Sequence, residues 1–97
     1  MNKEEFLIYC LLYAVDAAGV KKQNLVQMSL KTDAVVFVKI YNVIQQQDEA
    51  ARKSLLDSML KSFNKNEVIE DIKNTFLLDM EPSLKENIID AINQISS

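Results

Sequence analysis

The sequence predicts an all-α protein, a compact bundle of five to six helices around a buried N-terminal helix. Three observations predict this class. Residues 6–15, FLIYCLLYAV, are ten consecutive apolar residues, and a helix that is apolar on every side is buried on every side. The 97-residue chain has one glycine and one proline, whereas all-β folds need many turn residues. The later segments place their apolar residues at helical spacing.

The first helix is expected to lie in the core and to end at a glycine. Leucine and alanine within the apolar run favour helix over strand. Ten helical residues span about 15 Å, half of a bilayer core. The residues before the run end in Glu4 and Glu5, where a signal peptide needs positive charge. We therefore expect neither a membrane span nor a signal peptide, and we expect Gly19 to end the helix.

Residues 20–47 predict a short segment followed by a helix. Residues 20–33 fit a short helix or an irregular connection, and Asp33 or Thr32 is a candidate N-cap for the next element. Residues 34–47 predict a helix, although the valines at 35–38 favour a strand by propensity. We predict the helix because the apolar residues recur at helical spacing. They are Val36, Phe37, Ile40, Val43 and Ile44.

The second half of the chain predicts three amphipathic helices. Asp48 is a good N-cap for a helix over 49–63, whose apolar residues share one face. After a short turn, Asn66 is expected to cap the next helix, which ends near residues 78–80. Pro82 opens the last helix, since proline is tolerated in a first turn, and this helix continues to the C-terminus.

The same half contains a candidate internal repeat. Residues 48–59 align with residues 81–92 at an offset of 33, and the helices before them align at an offset of 32. This pattern indicates two helix–turn–helix units, which would make part of the bundle two stacked helical hairpins. The alternative is that any two amphipathic helices resemble each other in this way.

The composition limits the chemistry and the compartment. The net charge is −3, and residues 67–97, with two Lys and seven Asp or Glu, carry −5. An acidic chain disfavours nucleic-acid binding. The absence of histidine removes the commonest general base and histidine-containing zinc sites. The single cysteine, Cys10, lies in the apolar run and cannot form an internal disulfide, so we expect a core residue in a reducing compartment, the cytoplasm.

Two groups of residues are candidates for binding a protein partner or a second copy of the chain. Tyr9 and Tyr13 share one face of the first helix, and that face becomes a partner or homodimer interface if the rest of the chain leaves it uncovered. The second group belongs to the acidic last third of the chain, which suits a basic partner. Its members are Glu67, Glu70, Asp71, Asp79 and Glu81.

The stretch AVDAAGVKKQNL, residues 14–25, follows the hydrophobic first helix and contains Asp16 and Gly19. This order of features resembles the TerB-like family of small all-helical domains, associated with tellurite resistance, in which a hydrophobic helix ends in an Asp-Gly turn. The resemblance implies a cytoplasmic, stress-associated module that binds metal ions or partner proteins through acidic residues, with Asp16 as the metal ligand. Residues 21–23, two lysines and a glutamine, replace the acidic residues expected after the turn.

We therefore expect a single all-helical domain over residues 1–97 that is not an enzyme and binds no cofactor, nucleic acid or membrane. Its expected role is that of a protein–protein interaction or regulatory module. Two alternatives stay open. One is a TerB-like stress-associated protein that binds a metal ion or a small ligand. The other is a small phage- or plasmid-encoded inhibitor of a host protein.

Overall fold

Six α-helices form most of residues 1–95, the part of the chain that the computed structural model describes, and no strand occurs in that range. They are α1 Lys3–Ala17, α2 Lys22–Ser29, α3 Ala34–Gln46, α4 Glu49–Ser62, α5 Lys65–Ile72 and α6 Pro82–Asn93. A π-helical turn, Lys73–Leu77, extends α5. The prediction of an all-α bundle is confirmed. Helix α6 ends at Asn93 and residues 94–95 form a turn, so the prediction that this helix continues was wrong at these two residues, and the last two residues of the chain lie outside the described part.

Helix α1 is the centre of the bundle. Eight of the ten residues in its apolar run are buried, and the helix contacts α3, α4, α5 and α6. The rings of Phe6 and Phe63 stack with centroids 5.3 Å apart, which attaches the end of α4 to α1. Each fully buried large apolar side chain contributes about 1.5–3 kcal/mol relative to exposure. The predicted central helix is thus confirmed. No helix within residues 1–95 combines the length and the apolar character needed to cross a membrane.

Both ends of α1 are closed by local hydrogen bonds. At the N-terminus, Asn2 Oδ1 accepts from the backbone N–H of Glu5 at 2.8 Å, and Glu5 Oε1 accepts from the N–H of Asn2 at 3.1 Å. This reciprocal pair is a capping box. At the other end Gly19 has φ +69°, and the N–H of Val20 donates to Val15 O at 3.1 Å, as in a Schellman motif. The predicted role of Gly19 is confirmed.

Side-chain caps start α3, α4 and α5, and the cap of α5 differs from the one predicted. Asp33 and Asp48 cap α3 and α4, within the expectation for both. The cap of α5 is Asn64, whose Oδ1 accepts from the N–H groups of Asn66 and Glu67 at 2.9 and 3.2 Å. The prediction of Asn66 as the cap was wrong. Asn64 already has an extended backbone, so its side chain reaches the first free N–H groups and the helix begins two residues earlier.

Helix α2 is the least anchored of the six helices. Met28 is its one buried residue, and its main contact is with α3. Its N-cap position holds Lys21, which makes no side-chain capping hydrogen bond, and the helix begins with Lys22. Positive charge at a helix N-terminus opposes the helix dipole. Little besides Met28 and the contact with α3 therefore holds α2 in place.

Burial repeats between the two halves of the bundle at a constant offset of 32. Three pairs of equivalent residues are buried: Ile40 and Ile72, Ile44 and Phe76, and Leu56 and Ile88. The sequence alignment of the second helix in each unit used an offset of 33, one residue away from the register of burial. Internal duplication stays a prediction, because amphipathic helices packed on a common partner produce the same periodicity.

Candidate interaction surface

The chain itself covers the tyrosine face of α1. Tyr9 is fully buried, and its hydroxyl donates a hydrogen bond to Gln47 Oε1 at the end of α3. Tyr13 is partly buried, and its hydroxyl donates to Glu49 Oε1 at 2.8 Å. Burial is the main cause that raises the pKa of both tyrosines. The expectation for Tyr9 is corrected, because α3 and α4 leave it inaccessible to a partner, and of the two tyrosines Tyr13 alone reaches the surface.

Three of the predicted acidic residues line one shallow cleft beside α5. Glu67, Glu70 and Asp71 share this cleft with Lys3. The Nζ atom of Lys3 lies 3.0 Å from Asp71 Oδ2, and that of Lys73 lies 3.4 Å from Glu70 Oε1. Two lysines thus offset part of the negative charge. The cleft suits a basic partner less well than the sequence suggested.

The other two acidic candidates lie outside that cleft. Asp79 forms an ion pair with Lys31, across a second cleft between α2 and the π-helical turn. The hydrogen bond from Lys31 lowers the pKa of Asp79. Glu81 occupies the N-cap position of α6 and accepts a hydrogen bond from Ser83 Oγ at 2.7 Å. The five acidic residues therefore do not line one common cleft, and their part in binding stays a prediction.

Asp16, the candidate metal ligand, lies at the exposed end of α1. Its Oδ2 atom is 3.6 Å from Nη1 of Arg52. Within residues 1–95 no group of three or more His, Cys, Asp or Glu side chains is placed to hold a metal ion. Hard cations take several oxygen ligands. A metal site at Asp16 thus gains no support from its surroundings and stays a prediction.

Four exposed apolar side chains lie on α2, at its C-cap and on α3. They are Val26 at 62% exposure, Leu30 at 74%, Val35 at 79% and Val38 at 54%, out of six large apolar side chains exposed in the described part of the chain. The two residues on each helical segment are three or four positions apart, so they share a face. We call these four residues the α2–α3 surface. Sequence analysis did not single it out.

A shallow groove of about 230 Å³ runs between α2 and α3. Its lining residues are Lys22, Leu25, Val26, Ser29, Phe37, Val38 and Tyr41. Val26 and Val38 contribute exposed side chains from the two helices, whereas Phe37 is 4% exposed and belongs to the core. The lining is therefore mostly apolar, with Lys22 as its one charged group.

Helix α2 also borders two other spaces, whose linings mix apolar and charged side chains. A small cavity of about 150 Å³ lies beneath its N-terminal half, and Leu12, Val15 and Leu25 contribute to its wall. A cleft of about 450 Å³ separates its C-terminal end, including Met28 and Leu30, from the π-helical turn. Incomplete packing on both sides loses dispersion contacts. The apolar residues of α2 are thus only partly used by the fold.

The charge of this segment is opposite to that of the rest of the protein. Residues 20–47 contain four lysines and one aspartate, a net charge of +3, and the remaining residues carry seven Lys or Arg and thirteen Asp or Glu, a net charge of −6. Asp33, the aspartate, caps α3. Lys21 and Lys22 form no ion pair within residues 1–95. The groove thus has free positive charge at the α2 N-terminus.

A further cleft, about 520 Å³, lies between α1, α4 and α6. Its polar lining includes Lys53, Asn87 and Asp90, and much of its apolar lining is alanine. Interfaces are dominated by large apolar and aromatic anchors. The large side chains of this cleft are Tyr13, whose hydroxyl is hydrogen-bonded to Glu49, and Ile95, which is 8% exposed, so the fold already uses both. Its size therefore does not make it the better candidate.

Comparison of the chain with protein-family models, with curated protein sequences and with solved structures finds no match in any of the three. The TerB-like resemblance consequently stays a prediction.

Proposed function

We propose that this protein is a non-enzymatic interaction module that binds another protein through the α2–α3 surface. One observation carries the proposal: four of the six exposed large apolar side chains in residues 1–95 lie on this surface. Two of them, Val26 and Val38, line one groove, and exposed apolar side chains that lie together mark interaction sites. We place the module in a reducing compartment such as the cytoplasm, since its one cysteine, Cys10, is a buried free thiol.

The support for this surface comes from exposed valines that the fold does not need. Val35 is 79% exposed and Val38 54% exposed, so burial within the monomer explains little of their presence. Valine is also a poorer helix former than the glutamine or lysine usual at exposed positions. A partner that covers the surface would supply the missing burial.

Fewer observations support the other classes of function, catalysis and nucleic-acid binding. The chain has no histidine, and a site for general acid–base chemistry would depend on carboxylates, lysines and tyrosines. Nucleic-acid binding needs a basic face that neutralises several phosphates, whereas the two lysines free of ion pairs in the segment 20–47 lie at one end of the groove. An apolar surface of four side chains suits the binding of a protein better than it suits catalysis or the binding of a nucleic acid.

The experiment is affinity capture followed by reconstitution. The tagged chain and the variant Val26→Gln/Val38→Gln are incubated with lysate of the source cells, and retained proteins are identified and then purified. The wild-type chain is expected to retain a discrete protein and to bind it again in purified form. The double variant is expected to bind that protein at least about tenfold more weakly, since loss of an apolar contact at the centre of an interface costs more than about 1 kcal/mol.

The matched control is Ala50→Gln, which places a glutamine on the exposed face of α4. This variant is expected to bind the purified partner like the wild-type chain. Equal binding by the wild-type chain and by Val26→Gln/Val38→Gln would contradict the proposed surface. Loss of binding in Ala50→Gln alone would move the interface to α4.

A further inference from the structure

We infer that the partner segment is an acidic amphipathic α-helix, seated along the groove between α2 and α3. This inference rests on the proposed function and deepens it, because it names the chemistry of the bound segment. Two independent features of the groove carry it, its shape and the charge around it.

The shape fits a helix because the groove lies between two neighbouring helices. On α2 the lining residues Lys22, Leu25, Val26 and Ser29 stand at positions i, i+3, i+4 and i+7, one face of a helix. On α3 the lining residues Phe37, Val38 and Tyr41 occupy consecutive turns. Side-chain ridges of one helix pack into the grooves of another. A third helix with apolar residues at i, i+3, i+4 and i+7 would extend this packing.

The charge favours an acidic helix. Lys22 lines the groove, Lys21 precedes it, and neither forms an ion pair among the described residues. Residues 20–47 carry +3 within a protein whose net charge is −3. Two of the lysines in this segment, Lys31 and Lys39, pair with acidic side chains elsewhere in the chain. Lys21 and Lys22 therefore supply the free positive charge that attracts an acidic segment to the groove. Complementary charge of this kind steers encounter and fixes the orientation of the bound segment.

A second copy of the chain fits the groove less well. Its helices α5 and α6 are acidic, but the exposed positions of α6 are polar or charged, such as Glu86, Asn87 and Asp90. Two copies joined symmetrically through the α2–α3 surface would bring the lysines of each copy into the same interface. Like charges across an interface disfavour association.

A membrane surface fits less well than a helix. Interfacial helices insert Trp, Phe or Leu and carry many basic residues on the opposite face. The α2–α3 surface instead holds three valines and one leucine, and α2 is eight residues long.

The test uses two synthetic helical peptides and isothermal titration calorimetry with the full chain. Both peptides are about five turns long, which is longer than the eight-residue α2 that forms one wall of the groove, and carry leucine at i, i+3, i+4 and i+7. One has glutamate at the flanking positions and the other has glutamine. The acidic peptide is expected to bind up to about tenfold more tightly at low salt, from charge pairs with Lys21 and Lys22, and the preference is expected to shrink as salt rises.

Three variants show which residues bind the peptides. Lys21→Gln/Lys22→Gln is expected to reduce the preference for the acidic peptide severalfold while the glutamine peptide binds as before. Lys53→Gln/Lys61→Gln, with two exposed lysines on α4 changed, is expected to keep the preference. Val26→Gln/Val38→Gln is expected to lose both peptides.

Equal affinity for the two peptides, lost in Val26→Gln/Val38→Gln, would overturn the acidic partner and leave the proposed function standing. Failure of both peptides to bind would overturn the helical partner, while the captured protein tests the proposed function separately. Binding to vesicles of phosphatidylserine and phosphatidylcholine without binding to either peptide would overturn it in favour of a membrane. A dimer that dissociates in Val26→Gln/Val38→Gln would overturn it in favour of a second copy.

Discussion

Val26 of α2 and Val38 of α3 line one groove from two different helices, and both side chains are more than half exposed. The core does not need them, because Met28 and Ile40 on the same helices are 1% and 2% exposed and join α2 and α3 to the bundle. The two valines therefore distinguish what folds the protein from what we propose it uses to bind.

Replacing both valines should leave the fold intact. In Val26→Gln/Val38→Gln the free energy of unfolding is expected to change by less than about 1 kcal/mol, since exposed substitutions cost little and glutamine is the better helix former. Ile40→Gln, at a buried position of α3, should lose roughly 3 kcal/mol or more, from lost burial and an unsatisfied amide. Urea denaturation followed by circular dichroism measures both. Equal destabilisation by the two changes would mean that the valines are structural.

A good N-cap at the start of α2 should stabilise the protein. Lys21→Asp supplies a carboxylate that accepts from the free N–H groups of the first turn and removes a positive charge from that end, a gain of about 1 kcal/mol. The control Lys21→Gln removes the charge without supplying a good cap. Thermal unfolding should give the aspartate variant the higher midpoint. A midpoint equal to that of Lys21→Gln would show that fraying of α2 does not limit stability.

The thiol of Cys10 should be inert in the folded protein. The side chain is fully buried in α1, so a reagent cannot reach the sulfur atom. Burial also raises the pKa of the thiol to about 12, so the reactive thiolate does not form at neutral pH. Labelling with a disulfide reagent at pH 8 should be slow and should accelerate in urea along the unfolding transition. Complete labelling within seconds in native buffer would contradict the burial of this residue.

Glu5 should make stability depend on acid pH. Its pKa is lowered by the hydrogen bond from the Asn2 N–H and then by Lys39, whose Nζ lies 3.3 Å from Oε2. A carboxyl with a lowered folded pKa contributes stability above its ordinary pKa of 4.5, and that contribution disappears as the pH falls through the folded pKa. The stability of Glu5→Gln should thus differ most from wild type at neutral pH and converge with it below pH 4.5. A constant difference would exclude this linkage.

The core could be predicted from the sequence because burial has a strong periodic signal. The run 6–15 has no polar face, so it had to lie inside, and the positions around Ile40, Leu56 and Ile88 repeat at helical spacing. Helix ends could be predicted where a residue type strongly favours one position at the end of a helix, as with Asp48, Gly19 and Pro82. Asn64 and Asn66 are equally good caps two residues apart, and the choice between them depended on the backbone of the preceding turn.

The candidate surface could not be predicted in the same way. Val35 and Val38 lie outside the core-facing stripe of Phe37, Ile40 and Ile44. These additional apolar residues on α3 were the one indication of the surface in the sequence. Which helix covers which face depends on packing, and the helical spacing of Tyr9 and Tyr13 does not show which elements cover them. The structure places Gln47 and Glu49 over the tyrosine face and covers Val38 only in part.

The central claim is that the α2–α3 surface binds the partner, and amide chemical-shift mapping tests it most directly. The ¹⁵N-labelled chain is titrated with the glutamate peptide, and shifts are read for every assigned amide. The account predicts saturable shifts concentrated in residues 22–30 and 35–41, with α4 and α6 unchanged, and no such shifts in Val26→Gln/Val38→Gln. Shifts centred on α4, α5 or α6, or a response that is unaltered in the double variant, would contradict it.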